Sequence, residues 1–395
     1  MKVAVCVHNA ISHDARVLKE ARTLSGAGHE VRIFGLASEK SSWVTDFGVQ
    51  ATVVPRDTDD LKARLGAIEK PTQADRVRVS FENQGDTVIK TMLSEFEPDV
   101  VHLHDHLVLT AARKIKEVTN CPIVWDAHEI YEDLAGVEDA RAEVNPEIIR
   151  EYSPFVDHFV TINESIGEFY ARKYEALQKP VILPNSRRLE HSQPYDGRLH
   201  QAAGLPTSQK ILLFQGGFSN HRGIPQLLES AASLPDGWSI VMMGWGPLGE
   251  LVDQYKDLVD AGGSRRVVQI EKVPNSELLD WTAGATVGVI PYEPKGLNHE
   301  FCTPNKLWEY PLAGVPILAT NFPEMAKVIQ GHNIGWLLPK DFNGEIIAEV
   351  VSSIDEADLQ KRTENCRSFV ERDNWLIHEK QLVALYDQIE AGLTP

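Results

Sequence analysis

One pattern constrains this chain more than any other: short β-branched and aliphatic runs, each ending in a polar residue or glycine, alternate with segments of helical period. That order builds parallel strands joined by crossover helices, because parallel neighbours cannot be joined by a tight turn. Runs at 2–7, 31–36, 99–103, 122–125, 158–162 and 181–183 occupy the first half, and runs at 211–214, 239–243, 267–270, 287–291 and 316–319 the second. A chain of 395 residues exceeds the size at which one hydrophobic core stops growing. The expected fold class is therefore α/β, with two Rossmann-like doubly wound parallel-sheet domains facing an interdomain cleft. Residues 1–187 are assigned to the first domain, 188–209 to a polar linker containing Gly197, Gly204 and Pro206, and 210–372 to the second domain. In 373–395, Trp375, Leu382, Tyr386 and Ile389 fall on one helical stripe too apolar to stay bare, so this helix is expected to return to the first domain. Residues 40–98 are expected to hold one or two extra helices beside the first sheet.

Composition narrows the function classes. No stretch approaches the roughly 20 uninterrupted apolar residues of a membrane span, so no integral membrane segment is expected. Met1 to Val7 has one basic residue and too short an apolar run for a secretory signal, and reads as a first strand. Cys6, Cys121, Cys302 and Cys366 lie far apart without a C-x-x-C pair, which argues against a zinc site and a disulfide framework and places the chain in the cytoplasm. A formal charge of −18 repels polyanions, so no nucleic-acid partner is expected.

Ligands of open parallel sheets bind beyond the carboxyl ends of the strands. That rule collects His8, His104-Asp105, His128-Glu129, Asn163 and Asn185 in the first half. It collects Gly216-Gly217, Gly244-Trp245-Gly246-Pro247, Glu271-Lys272, Tyr292-Glu293 and 303–306 in the second. Thr303-Pro304-Asn305-Lys306 has the form of a helix start, with Thr303 as N-cap and Pro304 in the first helical position. The N–H groups of Asn305 and Lys306, with the lysine charge, would then receive a phosphate. Glu309 falls on the second turn, where a carboxylate accepts two hydrogen bonds from a vicinal diol such as ribose. Pro311 predicts a kink or early end to this helix. In Gly216-Gly217-Phe218-Ser219-Asn220-His221-Arg222-Gly223, glycines admit a phosphate to the backbone and Arg222 offers it a fork. His128, close behind a buried-looking strand, suits a hydrogen bond to a sugar hydroxyl or a proton shuttle. His102-x-His104 shares a strand face but lacks a clear further ligand set. Asp57-Thr58-Asp59 reads as a solvated acidic triplet among 57 acidic residues, so no metal is assigned.

Taken in order and spacing, these segments resemble the retaining glycosyltransferases of family 4 with the GT-B fold, over nearly the whole chain. The resemblance rests on Ser12-His13-Asp14-Ala15-Arg16-Val17, Ala27-Gly28-His29-Glu30-Val31, Val101-His102-Leu103-His104-Asp105, Asp126-Ala127-His128-Glu129 and Leu183-Pro184-Asn185 in the first half. In the second half it rests on Gly217 to Gly223, Gly244-x-Gly246-Pro247, Thr303 to Tyr310 and Ala313-Gly314-Val315-Pro316. It implies that Glu309 is the second glutamate of the family's pair and holds the nucleotide ribose. The first would fall on Phe301, with Glu300 one residue out of register. It implies that Arg222 is one of two cations on the diphosphate, that Gly217 replaces the other, and that Lys306 makes up the charge. Lys272 and Val273 match the nucleobase wall. Gly244, Thr303 and Asn305 complete the donor side, His128 contacts the donor sugar, and Asp14, Arg16, His104, Asp105 and Glu129 lie toward the acceptor.

The expected activity is transfer of a hexosyl or related sugar from a nucleotide diphosphate donor to an unidentified acceptor, with anomeric retention and no metal or other cofactor. Positive groups and N–H donors would stabilise the leaving diphosphate, with His128, Arg222 and Lys306 as the catalytic set. Two alternatives share the fold: a nucleotide-sugar epimerase, and a non-catalytic partner subunit of a transferase.

Overall fold

The computed structural model describes residues 1–189 and 194–393. The chain divides into two compact units, Met1–Pro184 with His378–Pro395, and Asn185–Ile377.

The first unit is built on an eight-stranded sheet. Its strands are β1 (Lys2–Cys6), β2 (Glu30–Leu36), β3 (Ser41–Val44), β4 (Gln50–Val54), β5 (Val100–His104), β6 (Ile123–Ala127), β7 (His158–Thr161) and β8 (Val181–Ile182). They lie in the order β3-β4-β2-β1-β5-β6-β7-β8, parallel except where β3 pairs antiparallel with β4. The second unit holds β9 (Lys210–Gly217), β10 (Trp238–Trp245), β11 (Val267–Ile270), β12 (Val287–Ile290), β13 (Ile317–Thr320) and β14 (Gly335–Leu338) in the order β11-β10-β9-β12-β13-β14, all parallel. Both are doubly wound. Strand order reverses between β1 and β5 in one sheet and between β9 and β12 in the other, and each reversal opens a crevice at the strand ends.

The strands are apolar without strict alternation because both faces are covered. In β9, Ile211 and Leu213 enter one core cluster, while Leu212 and Phe214 enter another across the sheet. In β10, Val241 and Met243 are likewise separated from Ile240 and Met242. This is why these runs are legible in the sequence. Three strands escape it: β3 is a mostly exposed edge, β4 lies within the 40–98 stretch where extra helices were expected, and β14 is a short Gly-Trp-Leu-Leu run. Residues 40–98 do hold two helices, Thr58–Gly66 and Gln73–Glu95.

The polar linker needs correction. Residues 190–193 lie outside the described residues, but Arg198–Ala203 forms a helix, and Leu199, Ala203 and Leu205 are buried in the second unit's core. The apolar spacing of Leu199, Ala203 and Leu205 was hidden among flanking polar residues and glycines. The chain passes between the units at Pro184–Asn185 and again at Ile377–His378, inside the helix Trp375–Leu393. Trp375, Leu382, Tyr386 and Ile389 are all buried. The Tyr386 hydroxyl meets His102 Nδ1 at 2.9 Å, and the Thr23 hydroxyl donates to Glu379 at 2.8 Å. Among the described residues, no helix is long and apolar enough to cross a membrane.

Candidate active site

The second unit gathers its polar residues at the reversal between β9 and β12. The loop after β9 is pressed against the end of β12: a Cβ on Gly223 would lie 1.8 Å from the Pro291 carbonyl oxygen, so only glycine fits there. That contact brings Arg222 beside Tyr292. The Arg222 Nε donates to the Ser219 hydroxyl at 2.9 Å, and its Nη1 donates to the Tyr292 hydroxyl oxygen at 2.5 Å. Lys306 Nζ donates to the same oxygen at 3.2 Å. Its ammonium lies in space that Gly216 leaves open, since a Cβ there would sit 3.3 Å away. Arg222 and Lys306 are thus brought together, through a tyrosine that the sequence reading had placed on the rim without giving it a role. Gly217 faces open space.

The helix carrying Lys306 and Glu309 spans Lys306–Leu312. It starts later than expected: Asn305, not Thr303, is the N-cap, and it makes no side-chain capping bond. The Thr303 carbonyl accepts from Asn185 Nδ2 at 3.2 Å, and the first turn closes on the Pro304 and Asn305 carbonyls. Glu309 therefore lies on the first turn, and the helix ends one residue after Pro311. Its docking is set by Tyr310, whose ring lies where a Cβ on Gly288 of β12 would be, 2.3 Å away, and whose hydroxyl donates to the Leu213 carbonyl at 3.0 Å. Glu309 is thereby laid beside β9. Its Oε2 accepts from Gln215 Nε2 at 2.8 Å, and Thr282 fixes that amide by donating to Gln215 Oε1 at 2.8 Å. Glu309 Oε1 faces Arg187 Nη1 at 3.5 Å. Gln215 and Arg187 were missed because neither stands in a motif; only the β9 register and the docked helix bring them to the carboxylate. Glu300 forms an ion pair with Lys340, so it is engaged away from Glu309.

At the ends of β10 and β11, Gly244 has φ 149°, and a Cβ there would lie 2.0 Å from the Gly216 carbonyl oxygen, so the two loops pack backbone to backbone. Lys272 Nζ lies 4.6 Å from the centre of the Trp245 ring, which is 59% exposed. Val273 packs against the core.

In the first unit, the rim residues separate into a buried layer and an accessible one. Arg16 was expected on the acceptor side, but it is buried: Nε and Nη2 grip both oxygens of Asp126 at 2.8 and 2.9 Å, and Nη1 donates to the Leu183 carbonyl. A guanidinium out of water needs such a fork. Asp14 accepts from the Val17 N–H as the N-cap of helix Ala15–Gly26. His104 is fully buried beneath the rim, so its acceptor-side placement is also corrected. Glu129 is exposed, and its carbonyl accepts from the Tyr170 hydroxyl.

His128 and Asp105 stay accessible. His128 Nε2 lies 3.2 Å from Asp126 and Nδ1 lies 3.4 Å from Asp105. Burial disfavours charge on this ring, but the two carboxylates outweigh it and raise its pKa. Burial alone would raise Asp126, yet Arg16 and His128 hold it well below the usual range. Asp105 has φ 69° and also accepts from the Tyr131 hydroxyl at 2.5 Å, with His8 Nδ1 at 3.6 Å.

Beneath lie Glu20, His102, His104 and Asp126, whose potential ligand atoms fall within 4.8 Å of one another. The His102 and His104 rings stack 11° from parallel, so their in-plane lone pairs do not converge on one point, and Arg16 already holds both Asp126 oxygens. In the acidic triplet, Asp57 is spent as a helix N-cap, accepting from Asp60 N–H, and Asp59 pairs with Lys62.

Residues 15–190 match Glycosyltransferase Family 4, and residues 209–356 match Glycosyl transferases group 1. The two matches, one in each unit, support a family 4-like glycosyltransferase, and the fold is that of the GT-B glycosyltransferases. It is 22% identical to the teichuronic acid biosynthesis glycosyltransferase TuaC of Bacillus subtilis, over 69% of this chain and 66% of that protein. It is 21% identical to a phosphatidyl-myo-inositol mannosyltransferase of Mycobacterium leprae, over 95% and 92%. The match thus spans somewhat under two thirds of TuaC. Among solved structures, sucrose-phosphate synthase from Thermosynechococcus elongatus superposes with a TM-score of 0.75 at 17% identity, covering 99% of this chain and all of the other. Anabaena HepE in complex with UDP-glucose gives 0.71 at 12%, covering 98% and 100%. Likeness at these identities speaks for the fold.

Proposed function

We propose that this chain transfers a sugar from a nucleoside diphosphate donor to an acceptor hydroxyl, with retention of anomeric configuration, without a metal, and in the cytoplasm. The observation that carries this reading is the meeting of Arg222 and Lys306 on one oxygen at the β9/β12 reversal, with the Glu309 carboxylate on the same short helix as Lys306. Two fixed cations suit a diphosphate that gains charge as the anomeric bond breaks, and a carboxylate oriented by Gln215 suits a ribose diol. Gly217 leaves the backbone open to the phosphates, Gly244 lets its loop pack on Gly216 beside them, and Lys272, Val273, Thr303 and Asn305 complete the donor side. His128, flanked by two carboxylates, contacts the donor sugar, and Asp105 and Glu129 face the acceptor. The UDP-glucose complex of HepE supports a uridine diphosphate sugar as the first donor to try.

Calorimetric titration of UDP and uridine into wild type, Arg222→Ala and Lys306→Ala is the decisive test, with release of UDP from UDP-glucose and of GDP from GDP-mannose followed in the presence of chelator. Each substitution should weaken UDP binding at least tenfold while changing uridine binding little, and turnover should survive chelation with the product anomer matching the donor. Equal losses for UDP and uridine would place the diphosphate elsewhere. Sugar isomerisation without nucleotide release would identify an epimerase, and neither reaction would identify a silent subunit.

A further inference from the structure

The Tyr292 hydroxyl has a hydrogen to place. Arg222 and Lys306 have no acceptor atoms, so the phenolic oxygen can only receive from them: from Nη1 at 2.5 Å and from Nζ at 3.2 Å. Both cations also lie over the ring, 5.0 and 5.6 Å from its centre, and the side chain is 5% exposed. With two donors on the oxygen, the O–H bond is directed away from both. Among the described residues, no third partner meets that hydroxyl. A phenol so placed is a buried donor held in front of two cations and pointing at neither.

We propose that the Tyr292 hydroxyl is a catalytic donor that gives its hydrogen bond to a phosphate oxygen of the departing nucleoside diphosphate. This rests on the reading of the site given above and adds a third group to the two cations. When the bond from the anomeric carbon to the phosphate oxygen breaks, its electron pair stays on that oxygen and the acceptor oxygen forms the new bond. The acceptor's proton passes to the leaving phosphate. Tyr292 keeps its own proton throughout; its donated bond strengthens as charge grows on the leaving group, which accelerates the chemical step rather than binding. The ring packing and the Thr320 bond to the Tyr292 carbonyl, 2.8 Å, do not involve the hydroxyl, so Tyr292→Phe removes the donor and leaves the fold.

Nucleotide release is measured, UDP from UDP-glucose or GDP from GDP-mannose, using whichever donor stabilises the wild-type protein more against heat, with water as acceptor where no other is known. For Tyr292→Phe, kcat should fall on the order of a hundredfold with KM changed less than about threefold. The same loss should persist in an Arg222→Ala background. If Tyr292 merely holds the cations in place, the loss appears in KM and vanishes once Arg222 is gone, and the inference is overturned. A Tyr292→Phe enzyme with wild-type kcat overturns it too, while the Arg222 and Lys306 titrations still stand. Absence of nucleotide release by the wild type overturns this inference and the activity on which it rests together.

Discussion

Glu20 shows what a single side chain contributes. It is fully buried on the first helix, with Arg16 of that helix 3.2 Å away, His102 and His104 of β5 at 3.7 and 3.9 Å, and Asp126 of β6 and Tyr386 of the last helix close by. Burial raises its pKa to about 8 from 4.5 against the pull of Arg16. Folding therefore favours the protonated carboxyl: this contribution is complete below about pH 4.5 and is lost as pH rises through about 8. Glu20→Gln keeps a neutral group of the same shape. The melting-temperature advantage of wild type over Glu20→Gln should shrink steadily as pH is raised across that window, and a difference that stays flat would mean Glu20 is ionised in the fold. None of this was visible in the sequence, where Glu20 is one more glutamate in a helix of mixed composition. Arg16 was misplaced for the same reason: as a residue of a loop-to-helix motif it looks available, and only the neighbouring of β1, β5 and β6 sends it inward onto Asp126. The placing of His128 at a strand end, and of Arg222, Lys306 and Glu309 at the β9/β12 reversal, was legible because motif order and strand ends mark those positions without knowledge of packing.

At the scale of elements, legibility follows burial. Most strands covered on both faces announce themselves as apolar runs, whereas the exposed edge β3 and the short β14 do not, and β4, though buried, was lost in a stretch dominated by helices. The start of the Lys306–Leu312 helix was misjudged because Thr303-Pro304 has capping chemistry, yet the first turn closes on the Pro304 and Asn305 carbonyls instead. The seating of that helix depends on one missing methyl group. Gly288→Ala puts a Cβ into the Tyr310 ring, and relief requires the helix to lift, carrying Lys306 and Glu309 away from Arg222 and Gln215. Overpacking of this kind costs about 1–3 kcal/mol. Denaturant unfolding should register that loss, and UDP titration should show affinity reduced at least tenfold; unchanged affinity would mean that the helix position does not define the donor site.

The whole molecule is two sheets whose ownership of the chain is not sequential. A protein ended after Ile377 lacks the segment that brings Tyr386 to His102 and Glu379 to Thr23 in the first unit, while Asn185–Ile377 stays intact. Hydrogen exchange on that protein should show lowered protection in β1 and β5 and unchanged protection in β9 and β10, with UDP binding retained. Equal loss in both sheets would contradict the division.

The same arrangement governs the order in which the chain can mature on the ribosome. The eight strands of the first sheet emerge before Asn185, yet the helix that covers His102 and Glu20 emerges only after the entire second unit has been made. Domains generally fold as they are synthesised, at about 5–20 residues per second. The nascent first unit therefore waits on the order of ten seconds or more with an open socket lined by buried-type polar groups, and the second unit folds as an insertion within an unfinished neighbour.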